Sequence, residues 1–448
     1  MIDMALSRRA LMRGLVQAAA AGMSLLGTRT LPPKAETTVP TFYVSASGSD
    51  EADGLTQDTA WATIQKANSA LPVGRAAVLF RRGDTFYGEL TPPFGCEVGA
   101  FGAGVRPVLT MFKLLNRPEG WIEVSTGIWK INLGSPDSHD GYTVTSDANI
   151  GYLMVDDVVK PALKYALTEL TEPWDFCCDL DDSSLFVKAL ANPATLAQDV
   201  KAAPNGDFRR VIFCDKGSNN VHDVHVTGTG GCGIGGTGPD VWIHDCRIDY
   251  IGGSELLDGT RRRYGNGIDN WVNVKRWTIE QNEITQVYDV AWSPQGPAGA
   301  TGFWDDMTFR NNYVHDCTQM VEFWSTGDPS APGFRRIRVY QNIFERAGYS
   351  VFSDVRPDQD KRVHLLSYNL QTPVDVLIED NVFDGASGAY SFHVYGPPAG
   401  YVSRNNTIRL RAGTRMQFQL PETVEQAEEW RVATGREQGS IFEIVTEY

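Results

Sequence analysis

The 448-residue chain has no Cys-x-x-Cys pair, and its seven cysteines (Cys96, Cys177, Cys178, Cys214, Cys232, Cys246, Cys317) are an odd number. A disulfide framework or a zinc cluster needs paired, closely spaced thiols, so buried free thiols are the expected state. Long hydrophobic runs are also missing. The apolar stretch from Gly14 to Gly27 is too short to span a bilayer. Positive charge is scarce: 40 Lys and Arg stand against 55 Asp and Glu, for a net charge of −15. The first thirty residues hold Asp3 against Arg8, Arg9, Arg13 and Arg29, so the remainder is more acidic still. Such a surface disfavours nucleic acid and anionic membranes as partners. The glycine-rich run Gly228–Gly238 has no Lys-Ser/Thr after it to make a phosphate loop and reads as a tight turn. His222, His225 and His244 match no zinc spacing, and nothing calls for a cofactor. What the chain does have is 42% hydrophobic residues with 11 Trp, 16 Tyr and 20 Phe, which excludes a disordered, collagenous or coiled-coil protein.

At the N-terminus, Ser7-Arg8-Arg9-Ala10-Leu11-Met12-Arg13 ahead of an Ala/Gly-rich run resembles a twin-arginine export signal. Residues 1–38 are therefore read as signal and linker, and the mature protein as periplasmic or secreted. That route exports chains already folded in the cytoplasm. It suits unpaired cysteines and a slow-folding β structure.

The second half of the chain repeats. Six segments carry two mostly apolar residues two apart, a polar or small residue three further on, and an apolar residue two beyond that. They are Val241 and Ile243 with Cys246 and Ile248, then Trp277 and Ile279 with Asn282 and Ile284, then Met307 and Phe309 with Asn312 and Val314. Ile337 and Val339 with Asn342 and Phe344, Val376 and Ile378 with Asn381 and Phe383, and Tyr401 and Ser403 with Asn406 and Ile408 complete the set. A strand, a sharp bend and another strand cannot bury their own inner face, whereas stacked copies can. Asn suits the bend through its tolerance of left-handed backbone and through an amide that bonds the copies above and below. Residues 39–412 therefore read as an all-β, right-handed parallel β-helix. Ala60, Trp61, Ile64, Ala67 and Leu71 outline an N-terminal capping helix ending at Pro72. Residues 413–448 form a C-terminal cap: a helix from Pro421 to Gly435 and a strand over Ser440–Tyr448.

The segments YVSASGSDEADGLTQDTAWATIQKAN, VLFRRGDTFYGEL and GAFGAGVRPVL resemble the opening of the bacterial pectin-lyase-like right-handed parallel β-helix proteins. WDFCCDLDDSSLFVKALANPAT is similar to a strand–turn–strand that precedes the repeats in members acting on glycans. The resemblance implies the fold and a polysaccharide or oligosaccharide partner. It does not imply one reaction, because the superfamily holds lyases, hydrolases, epimerases and non-catalytic adhesins. The paired-Asp and Gly-His-Gly signature of the polygalacturonase group is absent, as is an Asp-rich calcium cluster of the pectate-lyase type.

A second strand after each bend places Ile268, Val290, Val321, Val351 and Phe392 inward. Strand alternation then puts Asp269, Ala291, Glu322, Phe352 and His393 in one outer column. The neighbouring outer columns read Trp271, Ser293, Trp324, Asp354, Tyr395 and Gly267, Asp289, Met320, Ser350, Ser391. With rungs about 4.8 Å apart, Asp269 and Glu322 stand roughly 9–10 Å apart. That is near the roughly 6.5–9.5 Å carboxylate spacing of inverting glycosidases. Asp269, Asp289 and Glu322 are the candidate general acid and base. Trp271, Trp324 and Tyr395 are candidate sugar platforms, with Asp354 and His393 beside them. Two loops border this face, one carrying Arg263, Tyr264 and Asn266 and the other Arg356. Their cationic rims would suit an anionic glycan. A polysaccharide lyase is the rival chemistry, with Arg or Ca²⁺ neutralising a uronate and Tyr264, His315 or His393 as base. A non-catalytic glycan-binding β-helix is the rival from another class. Oligomeric state stays open.

Overall fold

Apolar residues that recur once per repeat leave water only if the repeats stack in register, and the chain does this on three faces. The structure, a computed structural model, describes residues 39–134, 147–205, 210–394, 398–417 and 419–446. The twin-arginine segment lies outside them. Successive rungs visit sheet I, sheet II and sheet III in turn and then return to sheet I. Sheet I has ten strands from Thr41–Val44 to Tyr401–Arg404, and sheet II has ten from Thr85–Tyr87 to Ile441–Val445. Sheet III has eight, from Arg210–Phe213 to Arg415–Met416. Neighbouring strands within all three are parallel, an arrangement consistent with a parallel β-helix.

The six repeats align as their spacing predicts. Val241, Trp277, Met307, Ile337, Val376 and Tyr401 are consecutive partners in sheet I. In the interior aromatics stack, with ring centroids 4.8 Å apart for Trp292 of sheet III on Phe309 of sheet I and 5.0 Å for Phe344 on Phe383 along sheet II. Each fully buried ring contributes on the order of 2–3 kcal/mol. At the bend the marker asparagines form a ladder. Asn312 Oδ1 accepts from both the main-chain N–H and Nδ2 of Asn282, each at 3.0 Å. Its own Nδ2 donates to Ile279 O and to Asn342 Oδ1. The expectation about left-handed backbone is corrected by one residue. Positive φ falls on the residue before each marker: Gln281, Asn311, Gln341, Asp380 and Asn405. The markers themselves are not left-handed, and their amides bond along the stack.

The ends are closed differently. Helix Ile64–Ala70, N-capped by Thr63, lays Ile64 and Ala67 into the core with Trp61. At the other end the helix spans Val424–Thr434 with a Thr423/Gln426 capping box and Gly435 left-handed at its C-cap. Pro421 and Glu422 therefore precede the helix instead of opening it. All seven cysteines are free thiols, six of them buried.

One region departs from the repeat. Between Val108–Thr110 and Arg210–Phe213 the chain leaves the rungs to build two mostly antiparallel sheets, of four and five strands. They enclose a separate core of Trp121, Ile131, Phe176, Leu185, Val187 and neighbours. The sequence marks these strands but not their pairing, because Asn-Gly and Asp-Gly are not the turns used. The hairpin of Ile150–Val155 with Val158–Lys160 turns on Asp156 and Asp157, both left-handed, which is the backbone of a type I′ turn. The insertion docks on the rungs through Phe112, Tyr152, Tyr288 and Phe352.

Candidate active site

The register of sheet III decides which side chains share a column. Ile234, Ile268, Trp292, Val321, Leu365 and Phe392 are consecutive partners facing the core. Val290 and Val351 do not belong there. Val290 pairs with Gln319, two residues early. Val351 is 45% exposed on the loop before Leu365–Leu370. No asparagine marks the start of these third strands, so a β-branched residue alone could not set their register. The outer column consequently reads Phe213, Gly235, Asp269, Ser293, Glu322, Leu366, His393. Ala291 and Phe352 drop out of it. In the next column Gln295 replaces Ser293 between Trp271 and Trp324, and Asp354 is not part of it. Tyr395 lies outside the described residues.

Asp269 and Glu322 keep their common column two rungs apart, with Ser293 between them. Both are outward from the strand yet only 3% and 4% exposed. Asp269 accepts from Arg210 Nη2 at 2.5 Å and from Asn266 Nδ2 at 3.3 Å. Arg210 begins its strand two rungs away and reaches Asp269 across Gly235. A Cβ on Gly235 would lie 2.8 Å from Arg210 Nε. The glycine-rich run, expected to be a turn, thus contributes strand Cys232–Gly235 and a notch for the guanidinium. Burial works against the Arg210 charge, but Asp269 beside it more than compensates and raises its pKa. Tyr264 donates to Asn205 Oδ1 at the same edge, and burial pushes its phenol far above the usual range. Burial, then Asp269, pushes the Cys232 thiol up to about 12.

Beside the acids lies an aromatic strip. Trp271 is 40% exposed and Trp324 half-buried, their rings 6.1 Å apart and tilted by 52°. Gly296, at φ 143°, lets Trp271 lie flat, since a Cβ there would come within 3.3 Å of the indole. Sugars present apolar faces to such rings while their hydroxyls stay hydrogen-bonded.

The structure disperses the remaining candidates. Asp289 does not lie between the two acids. It precedes Val290 at the corner and is ion-paired with Arg356, which also binds Asp358 at 2.7 Å. Arg263 is held inside the loop, donating to the carbonyls of Gly253, Gly151 and Pro161. Asp354 is 95% exposed at its side chain and pairs with Arg362 at 3.0 Å. His393 is buried two rungs beyond Glu322 with its ring stacked 4.5 Å from Tyr390, and burial lowers its pKa. His315 belongs to sheet II, held by Asp316 and Glu283. Among the described residues no group of three or more His, Cys, Asp and Glu side chains is arranged to hold a metal ion. No helix among them is long and apolar enough to cross a membrane. Sequence reasoning missed Arg210 and Gln295 and set Ser293 one column away from the acids. The bare glycine at 235, in a column of side chains, was the available signal of a close approach.

No protein-family model matches the chain, and no curated protein does. Among solved structures it is similar to a GH136 lacto-N-biosidase from Eubacterium ramulus, at 10% identity and TM-score 0.39 over 91% of this chain and 68% of that one. It is also similar to XylC in complex with xylose, at 10% identity and TM-score 0.41 over 90% and 86%. A rhamnogalacturonan lyase is similar at 10% identity and TM-score 0.38 over 84% and 74%.

Proposed function

We propose that this chain is an exported enzyme that hydrolyses glycosidic bonds of a polysaccharide on the third face of a right-handed parallel β-helix. The observation that carries the reading is the placement of Asp269 and Glu322, two sheltered carboxylates in one outward column beside Trp271 and Trp324. Two rungs give roughly 10 Å between Cβ atoms, room for a water between base and sugar, which favours inversion over retention. Asp269 is assigned as base, since its ion pair with Arg210 requires the carboxylate form. Glu322 is assigned as the acid that protonates the leaving oxygen. Trp271 and Trp324 stack the sugar, with Gln295 hydrogen-bonding from between them.

Elimination on a uronate is the second reading. One observation favours it: His393 shares the column, and its lowered pKa keeps the imidazole neutral and able to take a proton. Against it, Arg263 and Arg356 are engaged within the protein instead of facing a substrate carboxylate.

The deciding experiment incubates the protein, with and without chelator, with xylan, galactan, polygalacturonate and chondroitin sulfate. Reducing ends and the ultraviolet absorbance of unsaturated uronates are read together. Reducing ends without absorbance support hydrolysis, and both rising together support elimination through His393. Glycan binding with neither signal supports a non-catalytic binding protein. Export rests on Ser7–Arg13 and is tested by fusing residues 1–38 to a reporter that works only outside the cytoplasm.

A further inference from the structure

Buried hydroxyls in this fold are as a rule bonded within it. Thr318 Oγ1 donates to Val287 O at 3.2 Å, Ser254 Oγ donates to Asn149 O at 2.7 Å, and Ser325 shares a bond with Thr372 at 2.9 Å. Ser293 is different. It is 0% exposed, and its Oγ has no hydrogen-bond partner among the described residues. Its place is set by register: Asp269 is its partner on one side, and the pairs Trp292–Val321 and Gln295–Trp324 put Glu322 on the other. Ser367 and Ser391 also lack partners, but neither stands between two carboxylates. Ser293 is also the smallest side chain in a column that elsewhere carries Phe213, Leu366 and His393, apart from the Gly235 notch. A buried hydroxyl with nothing to bond is destabilising and persists where it serves something else.

We propose that Ser293 is a third catalytic group, whose hydroxyl holds the nucleophilic water between Asp269 and the anomeric carbon. The proposal rests on the hydrolytic reading of the site. The water oxygen bonds to the anomeric carbon as the glycosidic C–O bond breaks. One water proton passes to Asp269, and the Glu322 proton passes to the leaving oxygen. The other water hydrogen is donated to Ser293 Oγ throughout, so Ser293 neither gains nor loses a proton. It orients the water's lone pair at the carbon.

Two measurements test this on the full chain. A high-resolution crystal structure is expected to show a water within hydrogen-bond distance of both Ser293 Oγ and Asp269, displaced in Ser293→Ala. A Ser293 hydroxyl bonded directly to either carboxylate, with no water there, overturns the proposal whatever the activity. On the polysaccharide cleaved in the panel above, Ser293→Ala is expected to lower kcat about 10²-fold with KM within about twofold and no loss of Tm. A fall in Tm that accounts for the lost activity assigns Ser293 a structural role and overturns the proposal. If Ser293→Ala keeps its kcat while Asp269→Asn and Glu322→Gln lose theirs, the water role fails and the hydrolytic reading stands. If all three variants keep activity, the hydrolytic reading itself fails, and this role with it.

Discussion

Two stacks of buried polar side chains run along the same rungs and solve burial in opposite ways. At the bend between sheets I and II, Asn282, Asn312, Asn342 and Asn381 each donate from the main-chain N–H and Nδ2 to the Oδ1 of the next asparagine, and Asn406 ends the stack by donating to Ser440 and Glu437. An amide is both donor and acceptor, so identical neighbours satisfy one another, and repetition alone makes the stack stable. On the outer face of sheet III, Asp269, Ser293 and Glu322 differ from one another, and carboxylates cannot complement each other. Asp269 obtains a cation because Gly235 lets Arg210 cross a rung. Polar groups that close on themselves hold a fold together, whereas unlike polar groups set side by side in one column can take separate chemical roles.

The largest expected effect would break this contrast outright. Asp269→Asn and Glu322→Gln should each lower polysaccharide cleavage about 10²–10⁴-fold, and Asp269→Asn should also lower the thermal midpoint, because it leaves the Arg210 charge buried without its partner. Full activity in either variant would make the outer column ordinary surface charge. Asn312→Ala should behave oppositely, losing about 2–4 kcal/mol of stability by stranding the Asn282 donors and the Ile279 carbonyl, at unchanged kcat. Urea unfolding reads this, and a shift below about 0.5 kcal/mol would deny the ladder its role. Gly235→Ala sits between the two. The new Cβ crowds Arg210 Nε and the Asp269 carbonyl, so activity should fall about tenfold with a modest stability loss of about 1–2 kcal/mol.

A pH series sharpens the comparison further, since amides do not titrate and His364 does. Burial lowers the His364 pKa from 6.5 to about 3. Between those values the unfolded chain binds the proton and the folded one does not, so stability is full above about pH 6.5 and declines as pH falls toward 3. His364→Phe should lose less stability than the wild type between pH 7 and pH 4 in denaturant titrations. Equal losses would mean that other groups carry the acid sensitivity. The smallest effect is expected at Asp354→Asn. This exposed pairing with Arg362 should change neither activity nor stability by more than about 0.5 kcal/mol, as thermal melts and initial rates would show.

How far the site could be read depended on how well each strand was marked. Sheet I was legible because five of the six copies carry an asparagine three residues past the second position of the pair, with Cys246 in the first, so one register satisfied all six. Sheet III carries no such marker, and loops of different length precede its strands. Asp269 and Glu322 were placed together because Ile268 and Val321 lie correctly beneath them. Asp289 and Asp354 were misplaced because Val290 and Val351 mimic the same pattern without sharing its register. Arg210 could not be found by alternation at all, since its guanidinium acts two rungs from its own backbone.

By itself the sequence determined the stacking of the repeats, the identity of the bend residues and the alternation that sets two acids on one outer face. These follow from spacing along the chain, and spacing is a local property. Only the tertiary structure decided that Asp289 pairs with Arg356, that the insertion builds its own antiparallel core, and that a face turned outward is nonetheless sheltered. Each of these depends on which distant segments meet. Ion pairs and cover are fixed by distance in space, and separation in sequence carries no measure of it.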